Sequence, residues 1–329
     1  MERKQSQIKK ISVYVPQSAY MEAISPAYRL FNHVNDVLAF SNSELSFDVQ
    51  FVGLESEIVA QAGEYTIKTD RLITDVDKTD LIIIPALYGD LARAVEMNKE
   101  AIPWIQRMHS QGAEVASLCI GAFLLAATGL LDGKTCSTHW AYYDRFKQMY
   151  PQISIVDGAI ITDEGSIYSS GGANAIWNLL VYLVEKYTNR DMAILIAKHF
   201  LIDIDKNNQK SFTIFSGQKD HRDTEVLSAQ EYIEAHFFEK MTINELALKI
   251  NVSHRSLERR FKTATNNTVF EYLQRVRVEA AKRMFETCRK NVGEVMLEVG
   301  YTDLQAFRDI FKKTTGLTPL QYKNKYVRV

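Results

Sequence analysis

The sequence predicts a layered α/β unit over residues 1–202 and an all-α unit with two helix-turn-helix pairs over 225–329, joined by a linker at 203–224 that packs in part through Phe212 and Phe215. Three observations carry that expectation. Strand-like and helix-like apolar spacings alternate through the first unit, as they do when helices cover a largely parallel sheet. Two short helices about a tight turn occur twice in the second. Charge divides along the same line, with a net +5 from Glu225 to Val329 and −6 over the remainder, so the second unit is the one suited to a polyanion.

In the first unit, residues 11–15 (Ile-Ser-Val-Tyr-Val) read as the opening strand and residues 26–40 as a helix. Residues 47–52 and 81–85 read as further strands. Leu81-Ile-Ile-Ile-Pro85 is a continuous apolar run, as a strand buried on both faces of a parallel sheet must be. Helical spacing over 102–109, 122–131 and 175–187 supplies the covering layers. The chemically suggestive stretch runs from Glu114 to Gly129, where a β run ends in Cys119 and Gly121-Ala122 permits an abrupt turn into a helix. A cysteine there feels the positive end of the helix dipole, which favours thiolate. The competing reading is a small buried packing residue, the commonest role of a free cysteine.

In the second unit, Thr242 and Glu245 form a T-x-x-E capping box that starts a helix. Leu246 and Ala247 face inward, Asn251 tolerates the left-handed turn, and Ser253 caps a following helix that buries Leu257 and Phe261. The arrangement returns 50 residues later: Phe307, Phe311 and Lys312 take the places of Leu257, Phe261 and Lys262, while Gly300 supplies a turn and Asp303 a cap. Between the copies, Phe270, Leu273, Val276, Ala280 and Met284 give residues 268–287 a helical stripe that would hold the units at a set separation. Arg255, Arg259 and Lys262 in one copy, and Arg308 and Lys312 in the other, lie opposite the buried stripe. Such a face suits insertion into a DNA major groove.

The composition excludes several classes. No apolar run reaches the roughly 18–20 residues of a membrane span, so no membrane partner is expected. The start Met1-Glu-Arg-Lys has no apolar signal core, which leads to the expectation of a cytoplasmic chain. Cys119, Cys136 and Cys288 are too few and too scattered for a disulfide framework or a zinc site, so neither metal nor cofactor is expected. Cys136 reads as structural, and nothing marks Cys288 as reactive.

From about residue 226 to 326 the chain resembles the AraC/XylS family DNA-binding domain. The carrying residues are Val299-Gly-Tyr-Thr-Asp303, Phe307, Phe311-Lys312, Thr315-Gly-Leu-Thr-Pro319 and Tyr322, with Ser253, Leu257 and Phe261-Lys262 matching in the first copy. The resemblance implies a seven-helix, two-headed reader of double-stranded DNA. It assigns base reading to Arg255, Glu258 and Arg259 in one recognition helix and to Gln305, Arg308 and Asp309 in the other, with Ser253, Lys262 and Lys312 on the same DNA-binding face. Glu258 and Asp309 are acidic where phosphate repels them. They either accept from cytosine amino groups or pair with neighbouring arginines, and pairing is the preferred reading.

Residues 11–200 resemble the PfpI-like branch of the class I glutamine amidotransferase fold, a flavodoxin-like layering. The motifs are Ala116-Ser-Leu-Cys-Ile-Gly through Gly133, Ser137-Thr-His-Trp140, and Ser169-Ser-Gly-Gly-Ala-Asn174. The order of the two units is similar to that of the GlxA-like regulators. Enzymes of the fold pair their cysteine with a histidine, often the next residue, but here Ile120 follows Cys119. The glycine usual after the third strand is replaced by Ala86-Leu87. No catalytic residue is therefore expected. The resemblance implies instead a transcription regulator with a pocket for a small-molecule effector touching Glu22, Ala86, Cys119, Ile120 and His139, and a homodimer formed through the first unit. Oxidation of an exposed Cys119 thiolate ranks second as the input signal. The alternatives are a PfpI-type cysteine hydrolase or amidase with an accessory DNA-binding domain, and a first unit that only dimerises the reader.

Overall fold

The first unit is organised by the apolar runs that the sequence places at regular intervals. In the computed structural model, which describes residues 7–41, 43–60, 63–204, 208–287 and 290–326, the chain divides into Met1–Gln209 and Lys210–Val329. Cys288 and residues 205–207 of the expected linker lie outside the described residues. The core strands are β1 (Gln7–Tyr14), β2 (Leu45–Gly53), β5 (Arg71–Leu72), β6 (Leu81–Ile84), β7 (Glu114–Ser117) and β11 (Ile167–Ser170), all parallel, with β10 (Ile161–Asp163) antiparallel at one edge. Their order is β10-β11-β7-β6-β1-β2-β5. All four residues of β6 are buried, as its unbroken apolar run requires. Two small pairs, β3 (Glu57–Ala60) with β4 (Tyr65–Lys68) and β8 (Thr135–Cys136) with β9 (Ser154–Ile155), lie outside the main sheet.

Helices α1 (Met21–Phe40), α2 (Leu91–Met97), α3 (Ala101–Ser110), α4 (Ala122–Ala127), α5 (Tyr143–Met149), α6 (Ala175–Tyr187) and α7 (Arg190–His199) surround the sheet. Two of them correct the expected bounds. α1 begins five residues before Pro26, which sits inside it and forgoes a single intrahelical bond while burying its ring. α4 stops at Ala127 rather than 131, because Gly129 turns the chain with φ +75°.

In the second unit seven helices are described: α8 (Thr224–His236), α9 (Ile243–Lys249), α10 (His254–Thr265), α11 (Val269–Thr287), α12 (Val292–Glu298), α13 (Leu304–Thr315) and α14 (Pro319–Tyr326). They enclose two separate cores, one around Leu246, Leu257, Phe261 and Tyr272, the other around Val295, Phe307, Phe311 and Tyr322. The two tyrosines play the same part in each core, Tyr272 donating to Glu234 at 2.7 Å and Tyr322 to Glu286 at 2.5 Å. α11 serves both cores. Its first turns bury Val269, Tyr272 and Leu273, and its later turns bury Val278, Ala281 and Phe285. That sharing corrects the stripe expected from sequence: Phe270 is exposed, and Val276, Ala280 and Met284 are only partly covered. A helix pressed by two cores in succession cannot keep one straight apolar seam.

The segment before α8, expected to be a linker that packs in part through Phe212 and Phe215, packs from Lys210 onward on the second unit. Phe215 meets Tyr272 edge-on at 5.1 Å, its N–H donates to Glu279, and the Lys282 ammonium donates to the Thr213 carbonyl. Lys282 and Glu279 form a buried ion pair 2.7 Å apart, and the tether supplies further hydrogen bonds that such a pair needs.

Candidate functional site: paired recognition helices and a cysteine elbow

Each helix pair is built from local chemistry that the sequence displays. Thr242 and Glu245 complete a reciprocal capping box at the start of α9, and Asn291 with Glu294 does the same for α12. Asn251 (φ +56°) and Gly300 (φ +83°) make the left-handed turns. Gly300 is doubly constrained, since a Cβ there would come within 2.7 Å of the Phe238 carbonyl oxygen. Ser253 then caps α10 and Asp303 caps α13, accepting from the N–H groups of Ser256 and Ala306. Caps of the recognition helices, Ser253 and Asp303, are 50 residues apart, but the caps of the leading helices, Thr242 and Asn291, are 49 apart. The second turn is therefore one residue longer, and the 50-residue repeat holds only from the recognition helix onward.

Ser253, Arg255, Glu258, Arg259 and Lys262 are all exposed on α10 and its cap, as are Gln305, Arg308, Asp309 and Lys312 on α13. Among the described residues Arg255, Arg259 and Arg308 have no carboxylate partner within ion-pair distance. The two acidic residues do not pair with arginines, which corrects the preferred expectation. Glu258 lies 3.6 Å from the His254 ring nitrogen, and Asp309 accepts from Gln305 at 2.9 Å. In both cases the partner is the residue four positions back, where a helix puts its nearest neighbour. Arg260 points elsewhere. It holds Asp223 through two hydrogen bonds of 2.8 and 2.7 Å and also pairs with Glu225, fastening α10 to α8 and keeping the Asp223 carboxyl below its usual range. Lys262 donates to the carbonyl of Asn266 at 2.9 Å, so it must leave its helix end to reach a phosphate.

The second site lies at the carboxyl ends of β1, β6 and β7, where open parallel sheets bind their ligands. β7 ends at Ser117 and Cys119 follows with φ +56°, a left-handed conformation uncommon for any residue but glycine or asparagine. The strain is held by neighbours on both sides: the Cys119 N–H donates to Ser170 Oγ at 3.2 Å, and its carbonyl accepts from Thr138 Oγ1 at 3.0 Å. Gly121 completes the elbow. A Cβ there would fall 2.5 Å from the carbonyl oxygens of Ile84 and Pro85, so no larger residue fits without moving β6.

Of the two readings of Cys119, the structure favours the buried residue over the thiolate. The residue is 7% exposed, and burial pushes its thiol up to about 12, with the Ile120 N–H opposing only in part. α4 is short and starts three residues later, beyond a 3₁₀ turn, so desolvation outweighs its dipole. The expectation of an exposed, oxidation-prone thiolate falls for the same reason. Cys136 is buried and likewise raised to about 12. His139 accepts the Ala141 N–H on Nδ1 at 3.1 Å, leaving the ring proton on Nε2, and burial lowers its pKa so that the neutral ring is favoured. Among the described residues Cys119 and His139 share no hydrogen bond.

Of the five expected pocket residues, Ala86, Cys119 and Ile120 are buried, His139 is half-buried and Glu22 is exposed in the first turn of α1. Three tyrosines outside the sequence motifs join them. The Tyr20 N–H donates to Ala86, Tyr20 meets Tyr88 edge-on at 5.1 Å, and Tyr142 meets the His139 ring at 5.8 Å. The Tyr20 hydroxyl is raised first by burial and then by Tyr142, Tyr88, Cys119 and Glu22, all close enough to be felt. Their only signal in the sequence is a tyrosine a few residues beyond a strand or beside the Ser-Thr-His-Trp motif. No group of three or more metal-ligating side chains is gathered among the described residues.

Comparison with known proteins agrees with this division. Residues 9–186 match the DJ-1/PfpI family and residues 246–325 match a helix-turn-helix domain. The HTH-type transcriptional regulator GbdR of Pseudomonas aeruginosa is 25% identical over 271 residues, which are 82% of this chain and 72% of GbdR. Isonitrile hydratase of Pseudomonas putida is 27% identical over 130 residues, 40% of this chain and 55% of that enzyme. The crystal structure of an AraC family transcriptional regulator from Pseudomonas putida shares the fold, with a TM-score of 0.50 at 18% identity over 58% of this chain and 99% of that one. The chain thus belongs to the DJ-1/PfpI family and carries a C-terminal AraC-type helix-turn-helix domain.

Proposed function

We propose that the protein is a sequence-specific DNA-binding transcription regulator whose first unit takes a small-molecule effector at the Cys119 elbow and forms a homodimer. One observation carries the DNA-binding part: two capped recognition helices in tandem, each exposing arginine or lysine opposite its buried stripe, with Arg255, Arg259 and Arg308 free of carboxylate partners among the described residues. The HTH-type regulators that align over most of the chain support the same reading. The effector part is supported by the tyrosine-rimmed elbow around Glu22, Ala86, Cys119, Ile120 and His139. A thiol raised to about 12 without a histidine partner suits a pocket wall better than a nucleophile.

The test is fluorescence anisotropy of the full chain on its own upstream DNA, beside an Arg255→Ala/Arg259→Ala variant. The expected result is selective binding by the wild type that the variant loses. Equal affinity for unrelated DNA in both proteins would reject the assignment. A second reading, a Cys119-dependent enzyme, is favoured by the left-handed elbow and by the likeness to isonitrile hydratase. It requires isonitrile hydration by the wild type that disappears in Cys119→Ala.

A further inference from the structure

Gln209, just before the second unit begins, is 3% exposed and fully engaged within the first unit. Its amide nitrogen lies 2.9 Å from the Thr138 carbonyl, 2.9 Å from the Tyr143 hydroxyl and 3.0 Å from the Ala159 carbonyl. Its amide oxygen accepts the Gly172 N–H at 3.0 Å, and its own N–H donates to Gly158. One polar side chain thus closes three loops against one another. It also accounts for the paired glycines of the Ser-Ser-Gly-Gly motif. A Cβ on Gly171 would meet the Gln209 amide nitrogen at 2.4 Å, and one on Gly172 would meet both Gln209 and the His139 ring at little over 3 Å. Thr138, whose carbonyl Gln209 holds, is the residue whose hydroxyl holds the Cys119 carbonyl.

Two residues further on, the chain is held by the second unit. The Ser211 carbonyl accepts from the Tyr326 hydroxyl at 3.1 Å, and Ser211 Oγ accepts from Lys325 at 3.2 Å. Thr213 and Phe215 then meet the buried Lys282–Glu279 pair. Two residues of chain span about 7 Å at most, so a tether of this length has little slack to absorb a shift at either anchor.

We propose that Gln209 is a positioning residue that passes the state of the elbow loop to the strap on the DNA reader, along Cys119–Thr138–Gln209–Ser211. This rests on the effector reading above and names how occupancy of that site would be felt. Coupling of this kind demands that the anchor respond differently in the two states of the loop.

The test needs no effector. Hydrogen–deuterium exchange of the full chain is followed in peptides covering residues 137–143 and 211–218 for wild type, Thr138→Val, Gln209→Ala and the double variant. The expected result is that Thr138→Val, which alters only the elbow, speeds exchange in both peptides, and has no further effect on 211–218 once Gln209 is alanine. DNA affinity on the upstream site shifts in step, by about fivefold, the low end of ordinary coupling. If Thr138→Val speeds exchange at 137–143 and leaves 211–218 unchanged, Gln209 is merely structural and the proposal fails. It fails equally if the two substitutions act additively on 211–218. Should Gln209→Ala not fold, Thr138→Val alone still decides. Absence of DNA binding by the wild type would instead reject the regulator reading and leave the exchange result standing.

Discussion

At the scale of single residues, the recognition helices separate exposed basic side chains from a basic side chain that holds the fold. Arg259 is exposed and free of carboxylate partners among the described residues, so Arg259→Ala is expected to cost about 1–3 kcal/mol on the preferred site and little on unrelated DNA. Lys262→Ala should weaken all sequences alike and lower the salt slope by about one unit, since a phosphate contact carries no base information. Titrations over a salt series distinguish them, and base-selective loss in the lysine variant would contradict its role. Arg260 does a different job. It depresses the Asp223 carboxyl from its ordinary 3.8, and a depressed acid stabilises the fold above that value and loses the contribution as pH falls through the lower, folded one. The stability deficit of Arg260→Leu should therefore be full near neutrality and shrink below about pH 4. A deficit in urea unfolding that stays constant from neutral to acid pH would show that the pairing with Asp223 is not its source.

At the scale of elements, capping chemistry makes the second unit readable. Thr242/Glu245, Ser253 and Asp303 announce helix starts in one dimension, and Asn251 and Gly300 announce turns, so the helix pairs are legible from sequence alone. The layered first unit is legible from its apolar runs, down to β6 and α6. What escapes depends on distance along the chain. Tyr20, Tyr88 and Tyr142 come from three separate loops, and only the sheet brings them to Cys119. The state of Cys119 stays open in the sequence between thiolate and buried packing residue, because a helix dipole can be read locally whereas burial cannot. Phe212 and Phe215 mark the polar stretch 203–224 as a linker that packs in part, but what it packs on, Tyr272 and the buried Lys282–Glu279 pair, is visible only in the folded second unit. Phe215→Ala should accordingly lower the unfolding free energy of the second unit by about 1–2 kcal/mol, a half-buried aromatic's worth. Ile214→Ala, at a side chain 56% exposed, should change it by less than about 0.5 kcal/mol. Equal effects in thermal unfolding would mean that the segment is a passive connector.

At the scale of the whole molecule, an acidic family domain with an elbow is joined to a basic reader by a chain that both units grip. No described helix is long and apolar enough to cross a membrane. The reader's two cores are strung on one continuous helix, α11, whose 19 residues span roughly 28 Å at 1.5 Å per residue. A rigid spacer of that length suits two recognition helices entering successive major grooves on one face of the duplex, about 10–10.5 base pairs apart. The most direct measurement is a methylation-protection and hydroxyl-radical footprint of the full chain on its upstream DNA, with Arg255→Ala/Arg259→Ala and Arg308→Ala beside the wild type. A two-headed reader should give two protected major-groove segments about one helical turn apart, one lost with the first variant and the other weakened by the second. A single protected segment, or two that fade together whichever helix is altered, would contradict it.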